Sequence, residues 1–329
     1  MTDNYEPSTY LMPSSMPYPG VFKTFISGHE RFGQEDAYFN SELTTRDGFQ
    51  GNASLTIHLR LHLFKRDRPN EISPRAVLEN GKDVDIVPWG EATESGEAYD
   101  FAAYARAART QAENFWDNTN LCLIPPADYR GLEYSSGGQT YRPNIECRFK
   151  IRAADGVNDA HAVITCICPK KKHEFRSHVR HSATAAQTGQ WTCYDLALDT
   201  GDIIIRNGKT CEVPTGDPLV STKMKTVRCD KLPAQEAVCH EVGHLLGLSH
   251  VGKFFKMPDC LKETADTGRS NSLVCYRGPT DEATENIMGG GMKLATWNIR
   301  PWASRVISHT GIGLQGWRAS LTKQPPRRI

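Results

Sequence analysis

The eleven residues HEVGHLLGLSH, positions 240–250, constrain the fold of this chain more than any other feature. Successive residues of an α-helix turn by about 100°, so His240 and His244 lie about 40° apart on one face, one turn from each other. A third histidine further along the helix would leave that face. Gly247 accepts the positive φ that ends a helix, so the chain can turn back and bring His250 to the same point. The stretch therefore predicts a helix, a sharp break and three imidazoles around one metal ion.

The three imidazoles indicate zinc. Neutral imidazoles bind Zn²⁺ with bonds of about 2.0–2.1 Å, and three of them leave a fourth position for water, which is typical of a catalytic site. Glu241 follows the first histidine, so its carboxylate lies beside the ion and can accept a proton from water. The alternative is a core helix with incidental histidines. The chain has 11 histidines and 27 glycines, and from such a composition a chance match to all five positions has a probability on the order of 10⁻⁴.

The rest of the chain predicts an α/β (α+β) fold with helices packed on a mixed sheet. Residues 55–64 alternate strictly between apolar and polar, which is typical of a half-buried strand. Residues 98–118 are rich in helix formers. The histidine helix is expected to begin at Pro233, because proline suits a first helical turn. Further strands are predicted over 120–126, 145–153, 161–168, 191–198, 202–213 (a hairpin around Asn207-Gly208) and 222–230.

Charge and hydropathy exclude some partners. The net charge of +1 gives no general attraction to nucleic acid, and the basic run 170–172 is expected to be a solvated loop. No stretch approaches the roughly 18 apolar residues that would cross a bilayer. The N-terminus lacks the basic and apolar regions of a cleavable signal. We therefore expect no nucleic-acid partner and no membrane insertion.

The ten cysteines allow two interpretations: in a reducing cytosol most would be buried small apolar side chains, and in an oxidising compartment several could pair. Together with the lack of a cleavable signal, they suggest export by a route that needs none. Cys260 and Cys275 bracket a polar stretch and are the best candidates for a disulfide, although pairing does not follow from sequence alone. Cys166 and Cys168 would share one face of a strand, facing the core.

A second group of histidines competes for a metal. His178 and His181, with His173 nearby, could form another site. Their polar, arginine-containing segment favours exposed or hydrogen-bonded side chains instead, because a ligand set needs supporting residues around it.

The pattern His-Glu-x-x-His-x-x-Gly-x-x-His resembles that of the metzincin metallopeptidases. This resemblance implies a methionine turn under the zinc. In TENIMGGG, Met288 is followed by Gly289 and Gly290, which suit a tight bend. Met257 and Met292 are the competing candidates.

The resemblance also implies a domain organisation. It places a metzincin-like catalytic domain over 51–329, with a twisted mixed sheet, a long helix and the active-site helix. Residues 1–50 are expected to be a flexible leader, because the N-terminus is rich in Pro, Ser and Tyr. The upper subdomain of the catalytic domain would span 51–250. The lower subdomain, 251–329, would carry an insertion over 251–287, be largely irregular and end in a helix at 301–309.

This chain departs from the well-known subfamilies. Val251 follows the third histidine, Gly290 stands where some members have a tyrosine ligand, and no cysteine precedes Cys122 that could act as a cysteine switch. The subfamily is therefore unassigned. The C-terminal segment is similar to bacterial metzincin-like peptidases associated with injected toxins. That similarity implies export by a signal-independent route, with a secretion apparatus or an inhibitor (immunity) protein as a partner.

The expected function is a zinc-dependent endopeptidase. Its protein or peptide substrate would bind extended along an edge strand of the sheet. Two alternatives remain open: a non-peptidase binding module on the same scaffold, and a zinc amidase acting on cell-wall peptide. We also expect a Cys260–Cys275 bridge to be dispensable for the metal, because none of the three ligands lies inside the loop it would close.

Overall fold

The computed structural model describes residues 23–32, 35–45, 51–67, 75–77, 83–117, 120–172, 175, 177–199, 210–214, 224–228, 235–267 and 273–329. Within these residues nine strands form one mixed parallel and antiparallel sheet, which confirms the predicted α/β class. The strands are β1 (Lys23–Ile26), β2 (Asn40–Thr44), β3 (Ala53–Lys65), β4 (Cys122–Ile124), β5 (Ile145–Ala153), β6 (Ala162–Ile167), β7 (His178–Arg180), β8 (Gln187–Thr192) and β9 (Arg318–Ser320). Their order is β7-β8-β6-β3-β5-β4-β9, and β2, which carries β1, also pairs with β3.

The long strand β3 is the centre of the sheet. Its residues alternate between buried and half-buried from Ala53 to Leu61, which confirms the strand predicted over 55–64. One edge of β3 pairs in parallel with β5. The other edge pairs antiparallel with β2 over residues 54–58 and in parallel with β6 over residues 61–65. The strands predicted over 120–126, 145–153 and 161–168 are confirmed as β4, β5 and β6.

Helices cover the sheet and form much of the C-terminal part. The α-helices of the described residues are α1 (Phe101–Asp117), α2 (Ala237–Leu245), α3 (Val251–Phe254), α4 (Pro258–Thr267), α5 (Asp281–Thr284) and α6 (Arg300–Thr310). Short 3₁₀ helices span Val157–Asp159, Leu273–Tyr276, Thr296–Ile299 and Leu314–Gly316.

The helix predicted over 98–118 is confirmed as α1. Its last residue is anchored to β5, because Asp117 accepts hydrogen bonds from Phe149 N at 2.8 Å and from Arg148 Nη2 at 2.7 Å. At the same end, Trp116 Nε1 donates to Cys239 O at 3.0 Å. This bond joins the long helix directly to the histidine helix α2.

Short strand pairs lie outside the main sheet. They are His29–Phe32 with Glu35–Tyr38, Arg75–Val77 with Asp83–Asp85, Leu198–Asp199 with Gln235–Glu236, Thr210–Pro214 with Met224–Arg228, and Gln139–Arg142 between Tyr134–Ser136 and Arg327–Arg328. The strand predicted over 222–230 is confirmed. The predicted hairpin turn Asn207-Gly208 lies outside the described residues.

The strand predicted over 191–198 is wrong over 193–197, which form a turn between strand residues Thr192 and Leu198. The carboxylate of Asp195 accepts hydrogen bonds from Thr192 N at 2.9 Å and from Thr192 Oγ1 at 2.7 Å. A side chain that bonds the backbone in this way favours a turn over a continued strand. Cys193 in the same turn is joined to Cys168 by a disulfide that the spacing did not predict.

The start of the histidine helix also needs correction. Helix α2 begins at Ala237 and not at Pro233, which lies outside the described residues. Gln235 and Glu236 are extended instead, because their backbone pairs with Leu198–Asp199.

Segments near both ends of the described chain join the main sheet. Strands β1 and β2 lie within 1–50, the predicted leader, so the sheet begins before residue 51. The predicted helix over 301–309 is confirmed as α6, but the chain does not end there. It turns at Gly311, which has a φ of 70°, and adds β9 beside β4 as the edge strand of the main sheet. With helices α3–α6, the part after residue 250 is more regular than predicted.

Helix α6 also holds the N-terminal strands. His309 Nδ1 lies 2.7 Å from Thr24 Oγ1, and His309 Nε2 lies 2.9 Å from Ser41 Oγ. Arg305 Nη2 donates a hydrogen bond to Phe39 O at 2.8 Å. Among the described residues, no helix has the length and apolar character that crossing a membrane requires.

Three expectations about cysteines and lysines are confirmed. Cys260 and Cys275 form a disulfide with a Cα–Cα distance of 4.8 Å. Cys166 is buried in the core, and the lysines of the run 170–172 are exposed.

Candidate metal centre

Three imidazole nitrogens meet at one point. The Nε2 atom of His240 lies 3.1 Å from that of His244 and 3.1 Å from that of His250, and the third separation is 3.2 Å. Nitrogens around a tetrahedral zinc with bonds of 2.0–2.1 Å are about 3.3–3.4 Å apart. One small ion placed over this triangle can therefore reach all three. Within the described residues, this is the group of His, Cys, Asp and Glu side chains that could hold a metal ion.

The other ring nitrogens fix which atom faces the centre. His240 Nδ1 lies 2.6 Å from Ile287 O, and His244 Nδ1 lies 2.7 Å from Leu248 O. A carbonyl oxygen only accepts, so both Nδ1 atoms carry the proton and both Nε2 atoms present a lone pair. Lone pairs that face each other at this distance repel one another, and a cation between them removes the repulsion. The donor set therefore fits a metal ion.

A glycine reverses the chain between the second and third histidines. Gly247 has a φ of 81°. The N–H groups of Gly247 and Leu248 donate to the carbonyls of His244 at 2.7 Å and Gly243 at 3.0 Å. This pair of bonds is the Schellman motif, which satisfies the last carbonyls of a helix. It returns the chain so that His250, the residue before α3, reaches the other two imidazoles.

Glu241 lies on α2 beside His240 and is 5% exposed. Its Oε2 atom has no hydrogen-bond partner among the described residues. Burial, and after it the charge of Asp195, raises the pKa of this carboxyl well above its ordinary value. A bound cation would lower that pKa again. Burial also lowers the pKa of His240 to about 4, so this imidazole is neutral at pH 7 and can act as a ligand.

The segment 286–291, here called the methionine turn, packs against α2. Met288 is 1% exposed. A β-carbon at Gly243 would overlap Met288 Sδ, so the helix presents bare backbone to the methionine. Met288 O also accepts a hydrogen bond from Val251 N at 3.0 Å. The turn therefore contacts α2 and the residue that follows the third histidine. The competing candidates Met257 and Met292 are half-buried.

A glutamine just before α2 holds the methionine turn. Gln235 Nε2 lies 2.7 Å from Ile287 O, 2.9 Å from Gly289 O and 3.2 Å from Gly291 O. The amide nitrogen of one side chain thus lies within hydrogen-bond distance of three carbonyl oxygens of the same turn. Sequence reasoning missed Gln235, because a glutamine in a predicted helix carries no signal of this role.

Two asparagines complete the support of the turn. Asn286 Oδ1 accepts a hydrogen bond from Met288 N at 3.0 Å, and Asn286 Nδ2 donates to Asn298 Oδ1 at 2.7 Å. Asn298 Oδ1 also accepts from Ala295 N at 2.8 Å. Both asparagines are fully buried, so the turn is fixed by paired polar groups in the interior.

A tyrosine that the sequence did not single out contacts two of the histidines. The ring centroid of Tyr276 lies 4.2 Å from that of His250 and 5.3 Å from that of His240. Tyr276 follows the disulfide-bonded Cys275. Gly290, two residues after Met288, supplies no such ring.

The competing second metal site, which the sequence disfavours, does not form among the described residues, which leave out His173. His178 packs near Phe175, with ring centroids 5.7 Å apart. His181 Nδ1 lies 2.6 Å from Asp36 O. Its ring is 6.5 Å from that of His244, centroid to centroid, so His181 belongs to the surroundings of the triad.

Comparison of the chain with protein-family models, with curated proteins and with solved structures found no match. The class of this site therefore depends on its own geometry.

Proposed function

We propose that this chain is a zinc-dependent endopeptidase with a metzincin-like catalytic domain. The observation that carries the proposal is the triangle of Nε2 atoms beside a buried carboxyl group, that of Glu241, with an oxygen that no described residue binds. Two features support it. Gly247 reverses the chain between the second and third histidines, and the methionine turn packs against the histidine helix.

Each residue of the site has a distinct role in this proposal. Zn²⁺ held by His240, His244 and His250 would polarise the scissile carbonyl and make a water molecule more acidic. Glu241 accepts the proton of the attacking water and passes it to the leaving amine. The carbonyls of Ile287 and Leu248 keep the imidazole planes of His240 and His244 directed at the centre.

The substrate is expected to bind along β7. Among the described strands, β7 pairs with β8 alone and ends the main sheet. The chain leaves β7 directly at His181, whose ring lies beside His244. An extended peptide that adds to this edge would form main-chain hydrogen bonds and pass the triad. This placement favours a peptide substrate over a small molecule.

Digestion of mixed protein and cell-wall substrates, followed by mass spectrometry of the cleaved bonds, tests the proposal. Glu241→Gln keeps the side-chain shape and removes the proton acceptor, so zinc should stay bound while turnover falls by ~10² or more. Glu282→Gln, an exposed position on α5, is the matched control. Cleavage of cell-wall peptide alone would assign an amidase. Absence of any cleavage by the zinc-loaded chain would support the binding-module alternative and refute the proposal.

A further inference from the structure

One side of the metal centre is covered by an aromatic ring. The centroid of Tyr276 lies 4.2 Å from that of His250 and 5.3 Å from that of His240, and the two imidazoles are 5.1 Å apart. The planes of His240 and Tyr276 differ by 17°. His244 stands nearly perpendicular to both other imidazoles, at 86° and 84°. Tyr276 therefore contacts the pair formed by His240 and His250.

A disulfide holds this tyrosine in place. Tyr276 ends the 3₁₀ helix Leu273–Tyr276 and follows Cys275, which is bonded to Cys260 on α4. Both cysteines are fully buried. Helix α3 packs on the bridge through Gly252, because a β-carbon there would lie 2.8 Å from Cys275 Cα and 3.1 Å from Cys260 Cβ. The bridge thus joins the tyrosine to α3, which begins directly after the third histidine.

The backbone of Tyr276 is fixed from a second direction. A β-carbon at Gly289 would lie 3.0 Å from Tyr276 O, which is closer than ordinary contact. The tyrosine therefore lies between the methionine turn, which contacts its carbonyl group, and the imidazoles, which contact its ring.

We propose that Tyr276 is a positioning residue for the metal centre and that the Cys260–Cys275 bridge sets its position. The terminal torsion of a histidine side chain has a broad energy minimum, so a ring packed against His240 and His250 restricts their rotation. Both Nε2 atoms then stay directed at the common point, which raises metal affinity. The bridge is therefore not dispensable, in contrast to the expectation from sequence. This inference rests on the proposed zinc site and not on peptidase activity.

The test measures the zinc affinity of the purified full chain by competition with a chromophoric chelator, without any peptide substrate. Tyr276→Ala and the double variant Cys260→Ser/Cys275→Ser should each weaken zinc binding by roughly 10-fold or more, the usual effect of removing a group that orients a ligand. Tyr276→Phe keeps the ring and should bind zinc like the wild type. The matched control is Cys168→Ser/Cys193→Ser, which removes the other disulfide and should also leave zinc affinity unchanged.

A second readout separates positioning from folding. Absorption spectra of the Co²⁺-loaded chain should change in Tyr276→Ala and in the Cys260/Cys275 variant, because the bands depend on ligand geometry, and should not change in Tyr276→Phe. Melting curves identify the folded variants, and Tyr276→Leu replaces Tyr276→Ala if the latter does not fold.

Two results overturn this inference alone: a folded Tyr276→Ala or Tyr276→Leu that binds zinc like the wild type, or a Tyr276→Phe that loses as much affinity as Tyr276→Ala. A wild type that binds no zinc overturns both the inference and the proposed function. A wild type that binds zinc and cleaves no peptide overturns only the peptidase.

Discussion

Gln235 and His240 donate to the same oxygen atom. Gln235 Nε2 lies 2.7 Å and His240 Nδ1 lies 2.6 Å from the carbonyl oxygen of Ile287. Gln235 precedes α2 and His240 lies within it, so the start of the helix and the methionine turn are joined at a candidate metal ligand. The amide fixes the carbonyl, and the carbonyl fixes the plane of the imidazole.

Replacing Gln235 should therefore lower both the free energy of unfolding and the affinity for zinc. Gln235→Ala removes the donor to three carbonyls and should lower the free energy of unfolding by about 1–3 kcal/mol, the cost of unsatisfied polar groups. Gln235→Glu places a carboxylate oxygen next to three carbonyl oxygens, all of which are acceptors, and should lower the free energy of unfolding further. Urea melts and zinc titrations check this, with Gln139→Ala in the small outer sheet as control. A Gln235→Glu variant with the same unfolding free energy and the same zinc affinity as the wild type would contradict the role of Gln235 in holding the methionine turn.

Met288 should act through packing. Met288→Ala leaves a cavity against α2 and should cost about 2–5 kcal/mol, with a much smaller effect on zinc affinity. Met257→Ala and Met292→Ala should be milder, because both side chains are half-buried. Thermal melts and zinc titrations of the three variants measure the difference. If Met257→Ala proves the most damaging, the turn has been assigned to the wrong methionine.

The metal content should follow the triad. Elemental analysis of the purified chain should find close to one zinc per chain, lost in His240→Ala and in His244→Ala. His178→Ala, outside the triad, should keep the ion. Two zinc equivalents, one of them lost with His178, would restore the second site that the described structure does not form.

Acid should weaken the anchor of α1. Burial alone would raise the pKa of Asp117, but hydrogen bonds from Arg148 and from the Phe149 N–H outweigh it and lower the pKa to about 2. A carboxyl with a lowered folded pKa stabilises the fold above its unfolded pKa of about 3.9, and that contribution is lost as the pH falls towards 2.

Asp117→Asn measures this contribution. The variant should lose roughly 1–2 kcal/mol of unfolding free energy at pH 7 and clearly less near pH 2.5. Denaturant melts at both pH values provide the comparison, and Asp155→Asn, at an exposed loop position, is the control. An equal loss at the two pH values would show that ionisation of Asp117 is not the cause.

Local patterns predicted the parts of this fold that depend on local physics. Strict alternation marked β3, helix formers marked α1, and Gly247 indicated a break that the φ of 81° now shows. These features follow from spacing along the chain, which a single sequence displays. The boundary of α2 was wrong because strand pairing with residues about forty positions away decided it.

The residues that hold the site in place could not be predicted either, because their contacts join positions far apart in the sequence. Tyr276 reaches the histidines through a loop closed by a disulfide, and Gln235 reaches the methionine turn across more than fifty residues. Neither has a spacing that relates it to the triad. Only the fold brings these side chains together, so a pattern search finds the ligands and misses the groups that orient them.

The carbonyls that orient the imidazoles have a consequence for how the chain would acquire its ion. Ile287 O is fixed by Gln235, and Leu248 O belongs to the cap of α2. These hydrogen bonds are formed by the chain itself, so we expect folding to order the imidazoles before an ion binds. In a zinc finger, by contrast, metal binding and folding are one event. Here an ion would stabilise an already folded protein by mass action alone. Chelation and reloading would then remove and restore the ion without passing through an unfolded state.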